Sequence, residues 1–472
     1  MNTPPYSRRR MLQSLSSGFG YLAFSALAHD AAAKEAGPLL PKETHFKSRA
    51  KRVIFLCMRG GPSHVDLFDH KPELIKRGGK IAKLSKFGRG AKLLPPVKPL
   101  TPQGQSGLMM SEFMPQLARH ADDLCVINSM HTDLPNHAPA FAQMHTGSFQ
   151  FVRPSLGAWT LYGLGTQNQN LPGFITLSPP ADFGGARNYG SSFLPAVCQG
   201  TKIGGSSIPD LYAALTGKSE EPGPPMKHVE NTKISRDLQR AQIDLVQGLD
   251  RLKLKRDRWN PEVEGAIESF ELAFRMQDEV PKVLDLRHES ETVRKKYGVG
   301  QGTTNEPFAK QCLLARRLAE AGVRFIELTA PVNWDHHYML ESNLAKASNA
   351  TDQPIAALID DLKLRGMFED TLIVWAGEFG RTPYGQGGDG RDHNNKGYSI
   401  WMAGGGVKGG MNHGATDEFG YKAVQDPVHI HDWHATMLHL LGLDHKRLTF
   451  NYAGRDFRLT NVSGKVVERI VS

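Results

Sequence analysis

The chain has 472 residues, of which 40% are hydrophobic and 22% charged, and its formal net charge is +9 at pH 7. A chain of this length can bury a core that needs no disulfide bonds to hold it together. After the N-terminal segment it contains no run of about 18 apolar residues, which excludes a transmembrane helix in that part of the sequence.

The N-terminal segment has the pattern of an export signal. Three consecutive arginines at positions 8–10 precede a stretch of little charge at 14–28, and small residues follow up to Ala33. This order is typical of the twin-arginine export route, although a disordered basic N-terminus is the alternative. We therefore predict a signal peptide over residues 1–33, a linker over 34–50, and a periplasmic or secreted protein. Nucleic acid is not an expected partner there, whereas anionic polysaccharide would attract a basic protein.

The rest of the chain alternates between apolar runs and helical patterns. Continuous apolar runs predict strands buried on both faces at residues 52–58, 124–129, 323–328 and 371–376. Helices are predicted at residues 234–297, with breaks near Pro261 and Pro281, and at 311–321 and 354–365. Alternating helices and strands imply a largely parallel sheet, so we expect one α/β domain over residues 51–462 with a helical insertion at about 230–300. Ligands of such a sheet bind beyond the carboxyl ends of its strands.

The cysteines are scattered, at Cys57, Cys125, Cys198 and Cys312, and form no Cys-x-x-Cys pair. Two of them, Cys57 and Cys125, lie in predicted strands, which favours buried thiols. Neither a disulfide framework nor metal ligation by cysteine is expected.

Two segments that follow predicted strands carry potential metal ligands. His64 and Asp66 lie in a glycine-rich turn after the first strand, where the carboxylate would alternatively cap a helix. Asp335, His336 and His337 are consecutive after the third strand. Imidazole and carboxylate together suit zinc, manganese or iron better than calcium, although a surface histidine pair is the alternative.

A third segment combines acidic, basic and imidazole groups. Glu378 and Arg381 follow the fourth predicted strand, and Arg391 and His393 come shortly afterwards. Guanidinium groups bind tetrahedral oxyanions through two hydrogen bonds, so both arginines are candidates for holding phosphate or sulfate. Structural salt bridges are the alternative role for the arginines.

A fourth segment is predicted to begin a helix. Pro139 is favoured in a first helical turn, which places Asn136 and His137 at a helix N-terminus, where anions gather. The histidines between positions 429 and 439 have helical spacing, so we interpret them mainly as part of a packed C-terminal helix.

These motifs resemble the family known as domain of unknown function 1501. The resemblance covers nearly the whole chain after the signal and rests on the leader and on residues 60–69, 136–140, 321–327, 334–337, 377–383 and 390–394. That family is placed in the alkaline phosphatase-like superfamily, with sulfatases, phosphatases and phosphomutases. The resemblance implies a three-layer α/β/α sandwich with a largely parallel central sheet and helical and loop insertions.

The resemblance also suggests roles for individual residues. In the sulfatase motif Cys/Ser-x-Pro-Ser-Arg, followed by Thr-Gly, the nucleophile position falls on His137, while Pro139, Thr146 and Gly147 match. No cysteine or serine is present to become formylglycine, so His137 is expected to act as nucleophile or general acid.

The superfamily's metal ligands are only partly retained. Asp335 with His336 or His337 resembles the ligand pair of phosphatases, and His393 resembles their late ligand histidine. Glu378 matches a ligand aspartate, but Phe379 replaces the histidine beside it. Arg59 stands where relatives have another aspartate, so Asp66 or Asp69 would have to substitute.

We therefore expect a metal-dependent hydrolase of sulfate or phosphate esters, acting on a small-molecule or polysaccharide ester. Its divalent metal would be zinc, manganese or calcium. The alternatives are a catalytically degenerate protein that binds sulfated or phosphorylated glycans, and a phosphomutase-like transferase that is phosphorylated on His137.

Overall fold

The computed structural model describes residues 39–81, 90–204, 226, 233–257, 261–386 and 388–472. The predicted signal peptide and the start of the predicted linker, up to residue 38, lie outside these residues. None of the described helices is long and apolar enough to cross a lipid bilayer.

The strands are short, and most belong to one central sheet. In chain order they are β1 Arg52–Cys57, β2 Leu100–Gln103, β3 Leu108–Ser111, β4 Leu124–His131, β5 Phe174–Leu177, β6 Thr201–Ile203, β7 Phe325–Thr329, β8 Thr371–Ala376, β9 Gly380–Gln386, β10 Gly390–Asn394, β11 Tyr398–Ala403, β12 Met411–His413, β13 Ala415–Thr416, β14 Ala423–Gln425, β15 Val428–His429, β16 Phe450–Tyr452 and β17 Arg455–Phe457.

The helices lie between these strands. In chain order they are α1 His64–Leu67, α2 Pro72–Lys76, α3 His137–Thr146, α4 Leu156–Leu164, α5 Arg236–Asp257, α6 Pro261–Leu284, α7 Glu291–Tyr297, α8 Glu306–Glu320, α9 Leu340–Leu364 and α10 Ile430–Leu440. Short 3-10 helices span Leu117–Asp123, Gly185–Tyr189, Ala196–Cys198, Leu286–His288, Phe368–Asp370 and Glu468–Ile470.

Within the described residues, the central sheet has nine strands in the order β12-β4-β11-β8-β1-β7-β5-β6, with β15 also paired to β4. Among these strands, only β11 runs antiparallel to its neighbours, β4 and β8. Strands β7, β1 and β8 are parallel neighbours in the middle of the sheet, so their carboxyl ends meet at one edge. The predicted largely parallel sheet is confirmed.

Both faces of the sheet are covered. Along β1, Ile54 and Leu56 point into a core that includes α8 and α9. Val53 and Phe55 point to the opposite core, which includes α3, α4 and α10. A strand covered on both faces needs apolar residues at successive positions, which is why this strand reads as a continuous apolar run. The structure is the expected three-layer α/β/α sandwich.

The predicted helices differ from the observed ones at prolines. The predicted break near Pro281 is wrong, because α6 continues through that residue to Leu284. The helix predicted to start at Pro354 begins at Leu340 instead and contains the proline in its interior. Proline removes one backbone donor from a helix, but packing compensates here: Val280 is buried beside Pro281, and Ile355 beside Pro354.

All four cysteines are buried and free. The buried thiols predicted for β1 and β4 are therefore present, and no disulfide is formed.

The turn after β1 requires glycine at position 60. Gly60 has a φ of +103°, and a Cβ atom there would lie 2.1 Å from the side-chain oxygen of Asn333. It would also lie 2.7 Å from the backbone nitrogens of Trp334 and Asp335. The loop after β1 and the loop after β7 therefore approach each other as closely as backbone atoms allow.

Replacing Gly60 with alanine is expected to destabilise the protein more than the same change at Gly300. Gly300 has a φ of +79° with no atom within 4 Å of the added Cβ, so Gly300→Ala isolates the backbone cost of about 1–2 kcal/mol. Gly60→Ala adds a steric clash to that cost. Denaturant midpoints of the two variants measure the difference, and equal midpoints would show that the loops can separate freely.

Candidate active site

The loops at the carboxyl ends of β1, β7 and β8 surround one cluster of polar side chains. Asp335 and His337 come from the loop after β7, and His393 from the hairpin of β9 and β10. His137 is the first residue of α3. These four residues offer ligand atoms that all lie within 4.8 Å of one another, and their side chains are partly exposed.

One carboxylate oxygen lies at the centre of the cluster. The Nε2 atom of His337 is 2.8 Å from Oδ1 of Asp335, and the Nε2 atoms of His137 and His393 are each 3.2 Å from it. The Nε2 atoms of His337 and His393 are themselves 3.0 Å apart.

The other nitrogen of each histidine faces an oxygen acceptor. Nδ1 of His393 donates to the carbonyl of Pro135 at 2.6 Å, and Nδ1 of His337 donates to Oε1 of Gln386 at 2.5 Å. Nδ1 of His137 lies 2.5 Å from Oε1 of Glu378. Because these partners place a hydrogen on each Nδ1, the Nε2 atoms are turned toward the carboxylate of Asp335. Lone pairs that face a carboxylate need a proton or a metal cation between them, so this donor set fits a divalent metal.

Glu378 is fully buried and orients His137. The backbone N–H of Gly60 donates to both of its carboxylate oxygens, at 2.9 and 3.1 Å. Hydrogen bonds of this kind compensate part of the cost of burying a carboxylate. Glu378 therefore contacts Nδ1 of His137, the nitrogen that does not face Asp335. It is not one of the four clustered residues.

The charges of the cluster change the protonation of its members. Burial alone would lower the pKa of His137, but its hydrogen bonds and charge interactions with Asp335 and Glu378 raise that pKa to about 9. Burial would likewise raise the pKa of Asp335, yet hydrogen bonds from His137 and His393 and the charge of Arg381 hold it well below its usual range.

Arg381 is fully buried, and its donors are used within the protein. Its Nε donates to the carbonyl of Gly61 at 2.8 Å, and its Nη2 donates to the carbonyl of Gly60 and, at 2.5 Å, to Asp335. Nη1 donates to the carbonyl of Arg391 at 3.3 Å. The guanidinium thus connects the loops and is not exposed to a substrate anion.

Arg391 and Asp66 form a buried ion pair away from the cluster. Nε and Nη2 of the arginine donate to the two carboxylate oxygens at 2.7 and 3.1 Å, and both side chains are fully buried. Arg391 therefore forms a structural salt bridge, which was the alternative to binding a substrate anion. Neither Arg391 nor Asp66 belongs to the candidate site.

Three further residues expected at the site have other surroundings. His64 is buried, and its Nε2 donates to the carbonyl of Gly420 at 2.7 Å. His336 points to the carbonyl of Asn333 at 3.1 Å, and burial, together with the nearby charge of Arg381, lowers its pKa to about 4. Asn136 is the exposed N-cap residue of α3, but its side chain makes no capping hydrogen bond.

Phe183 and Arg59 form an aromatic and cationic rim beside the cluster, which the sequence analysis did not predict. Phe183 stacks on His137 with ring centroids 4.9 Å apart, and the guanidinium of Arg59 lies 5.9 Å from the centroid of Phe183. Arg59 is partly exposed and pairs with Asp182 at 3.2 Å. No local pattern distinguishes Phe183, which lies in a glycine-rich loop far from the other motifs.

A second, fully buried group was also missed. Cys57, His145 and Glu327 offer ligand atoms within 4.8 Å of one another. The signal available in the sequence was Glu327, a carboxylate inside the apolar run of a predicted strand.

Residues 50–471 match the family model described as "Protein of unknown function (DUF1501)". The chain belongs to this family. The predicted resemblance is thereby confirmed over almost the whole described chain. No curated protein matches the sequence.

Sulfatases and alkaline phosphatase-like proteins are among the solved structures that this chain is similar to. The PsFucS1 sulfatase from Pseudoalteromonas sp. shares 13% identity, with 84% of this chain and 68% of the sulfatase covered and a TM-score of 0.36. A mutant of the TAB5 alkaline phosphatase with bound Mg shares 11% identity, with coverage of 78% and 95% and a TM-score of 0.32. The C-terminal periplasmic domain of EcEptC from Escherichia coli, in complex with Zn, shares 9% identity, with coverage of 89% and 96% and a TM-score of 0.33.

Metal affinity of the cluster is expected to keep rising with pH above neutrality. An ordinary histidine, with a pKa of about 6.5, is neutral above about pH 7.5, but the pKa of His137 is about 9. The positive charge of the protonated ring opposes a divalent cation bound by its neighbours, so the apparent metal affinity should increase as His137 loses its proton between about pH 7.5 and 9. Zinc competition against a chromophoric chelator measures this increase. In His137→Gln the increase should vanish, and a wild-type affinity independent of pH over that range would contradict the prediction.

Proposed function

We propose that the protein is an exported metal-dependent hydrolase of sulfate or phosphate esters. The observation that carries the proposal is the convergence of three imidazole Nε2 atoms on Asp335 in a partly exposed cluster. Asp335, His337 and His393 would hold the metal, and three protein ligands leave a position for substrate, as in catalytic zinc sites. The bound metal would supply Lewis-acid polarisation of the ester oxygen or a water of lowered pKa.

His137 is the candidate general acid. Glu378 fixes the ring through Nδ1, so Nε2 faces the cluster. The raised pKa of His137, about 9, means that this nitrogen carries a proton near neutrality. A protonated imidazole in this position can donate to the oxygen of the leaving group. This role makes a nucleophilic cysteine or serine unnecessary, because water would attack the ester.

Arg59 is the candidate for holding the substrate anion. Its guanidinium is partly exposed and lies over the ring of Phe183, which in turn stacks on His137. Its ion pair with Asp182 has both carboxylate oxygens 3.2 Å from Nη1. A sulfate or phosphate group of a substrate would replace this exposed carboxylate as the partner.

Substitutions at His137 and His337 should separate catalysis from metal binding. His137→Gln is expected to lower kcat/KM for aryl phosphate and aryl sulfate esters by about 10²-fold or more, because general acid catalysis contributes factors of this size. Its metal content should remain that of the unaltered protein. His337→Ala should lower both activity and metal content.

The matched control is His288→Ala, because His288 is largely exposed and pairs with Asp285 on the surface. Metal analysis by mass spectrometry and ester assays with added zinc, manganese or calcium provide the measurements. Full activity of His137→Gln on both esters would exclude the proposed general acid, and loss of metal from it would make His137 a ligand instead.

A second candidate function, binding of anionic glycans without catalysis, is favoured by a separate pocket. A cavity of about 270 Å³ lies at the C-terminal end of α3, and its lining includes Arg153, Arg455 and Arg458. Arg153 lies over the rings of Phe151 and Phe457, with its Cζ 5.2 and 4.3 Å from their centroids. Within the described residues, none of the three arginines pairs with a carboxylate, while Arg455 and Arg458 donate to the side-chain and backbone oxygens of Asn461. Aromatic faces and guanidinium groups without an acidic partner together suit a sulfated or phosphorylated sugar.

The double variant Arg153→Ala, Arg458→Ala should bind a sulfated polysaccharide at least about tenfold more weakly, since each charged hydrogen bond contributes about 1.5–3 kcal/mol. The unaltered protein should bind the chemically desulfated polymer weakly. Arg287→Ala is the matched control, because Arg287 is exposed and remote from the pocket lining. Titration calorimetry measures the affinities, and equal binding of both polymers would rule out recognition of the anion.

A further inference from the structure

The buried group formed by Cys57, His145 and Glu327 brings together three elements of the fold. Cys57 is the last residue of β1, Glu327 lies in the parallel neighbour β7, and His145 is in the last turn of α3. The three residues are at most 3% exposed. Their Sγ, ring nitrogen and carboxylate oxygen lie within 4.8 Å of one another.

The orientation of His145 is the one that metal-bound histidines adopt. Its Nδ1 donates to the carbonyl of Phe141 at 2.8 Å, and its Nε2 lies 3.2 Å from Oε1 of Glu327. With the hydrogen on Nδ1, the lone pair of Nε2 faces an oxygen that is also an acceptor. Either a second proton or a cation must lie between them. A carbonyl that fixes the far nitrogen is the usual second contact of a ligating histidine.

Two unpartnered hydroxyl groups lie beside this group. Oγ1 of Thr329 and Oγ1 of Thr176 are buried and have no hydrogen-bond partner within the described residues. Thr329 is the register partner of Cys57, and Thr176 is the register partner of Glu327. Register partners in parallel strands point to the same face of a sheet, so both hydroxyls flank the thiol and the carboxylate. Buried hydroxyls without partners are uncommon in proteins, and a cation bound to this group could give one of them a partner.

The alternative is a buried pair of imidazolium and carboxylate. Burial opposes a charge on His145, but the negative charge of Glu327 raises the pKa of the ring. Burial also raises the pKa of the Cys57 thiol. This pair would leave the thiol and both hydroxyls without a role, and buried ion pairs seldom add stability over apolar residues. A divalent cation would give the thiol, the imidazole and the carboxylate a common partner and leave one coordination position for a hydroxyl or water.

We propose that Cys57, His145 and Glu327 form a second metal site that binds zinc. Thiolate and imidazole ligands favour zinc over calcium, magnesium and manganese. Thr329 or a water molecule would complete the coordination. Binding displaces the thiol proton, and the second imidazole proton where it is present, to solvent. Because the site is buried and leaves no position for a substrate, its function is structural. The metal would connect the ends of β1 and β7 to α3 at His145, eight residues after His137. The site does not depend on the proposed ester hydrolysis.

Only the second metal site would contain a thiolate ligand, so the two sites can be distinguished by spectroscopy. Protein produced with cobalt as the only added transition metal should show a near-ultraviolet thiolate-to-cobalt charge-transfer band and contain two metal ions per chain. Zinc-containing protein should show sulfur in the zinc X-ray absorption spectrum at about 2.3 Å. The exposed cluster contains only nitrogen and oxygen ligands, so it cannot produce either signal.

Cys57→Ser should abolish the band and remove one metal ion per chain. Cys198→Ser is the matched control, because Cys198 is also buried and free, and it should keep both. His337→Ala should lose the metal ion of the exposed cluster but keep the band. This variant separates failure of the second site from failure of the proposed function. Absence of both the band and the sulfur signal from the unaltered protein would overturn the proposal, even if Cys57→Ser does not fold.

Discussion

A buried guanidinium holds the candidate site together. Arg381 is fully buried, so each of its donors needs an acceptor inside the protein. It finds them in the carbonyls of Gly60 and Gly61, in Asp335, and in the carbonyl of Arg391. These acceptors belong to the loops after β1 and β7 and to the β9–β10 hairpin. The positions of the clustered histidines follow from this connection, because His337 and His393 lie in two of the same segments.

Helix α3 carries the histidines of two imidazole–carboxylate pairs. His137 contacts Glu378 at its N-terminal end, and His145 contacts Glu327 two turns later, with Phe141 between them. In the first pair, His137 is partly exposed and belongs to the candidate site, although Glu378 is buried, whereas both members of the second pair are buried. The two environments suit the two different roles proposed above. Proton transfer requires access to a substrate, and a structural metal benefits from exclusion of water.

The chain departs from the sulfatase pattern in a consistent way. A histidine occupies position 137, and Phe379 stands where a ligand histidine would be expected. In the structure, the ring centroid of Phe379 lies 4.9 Å from that of His137 and 4.8 Å from that of His393, and Phe183 also stacks on His137. Aromatic rings thus occupy space beside two of the clustered histidines, His137 and His393. The single exposed metal site proposed above is compatible with this arrangement.

The sequence by itself determined the sheet and much of the cluster. Continuous apolar runs identified β1, β4, β7 and β8, because strands covered on both faces must be apolar throughout. The rule that ligands bind beyond strand ends selected Asp335, His337 and His393, which the structure brings together. Helix boundaries at Pro281 and Pro354 were misjudged, since local propensity does not include tertiary packing.

Only the tertiary structure decided which polar residues meet. His336 and His337 are adjacent in sequence, yet one ring turns to a backbone carbonyl and the other to the cluster. Arg381 and Arg391 look equally suited to bind anions, but burial commits their donors to protein acceptors. Cys57, His145 and Glu327 are separated by long stretches of chain and share no motif. Their proximity arises because parallel pairing of β1 and β7 and the packing of α3 place them on one face, and no local pattern contains that information.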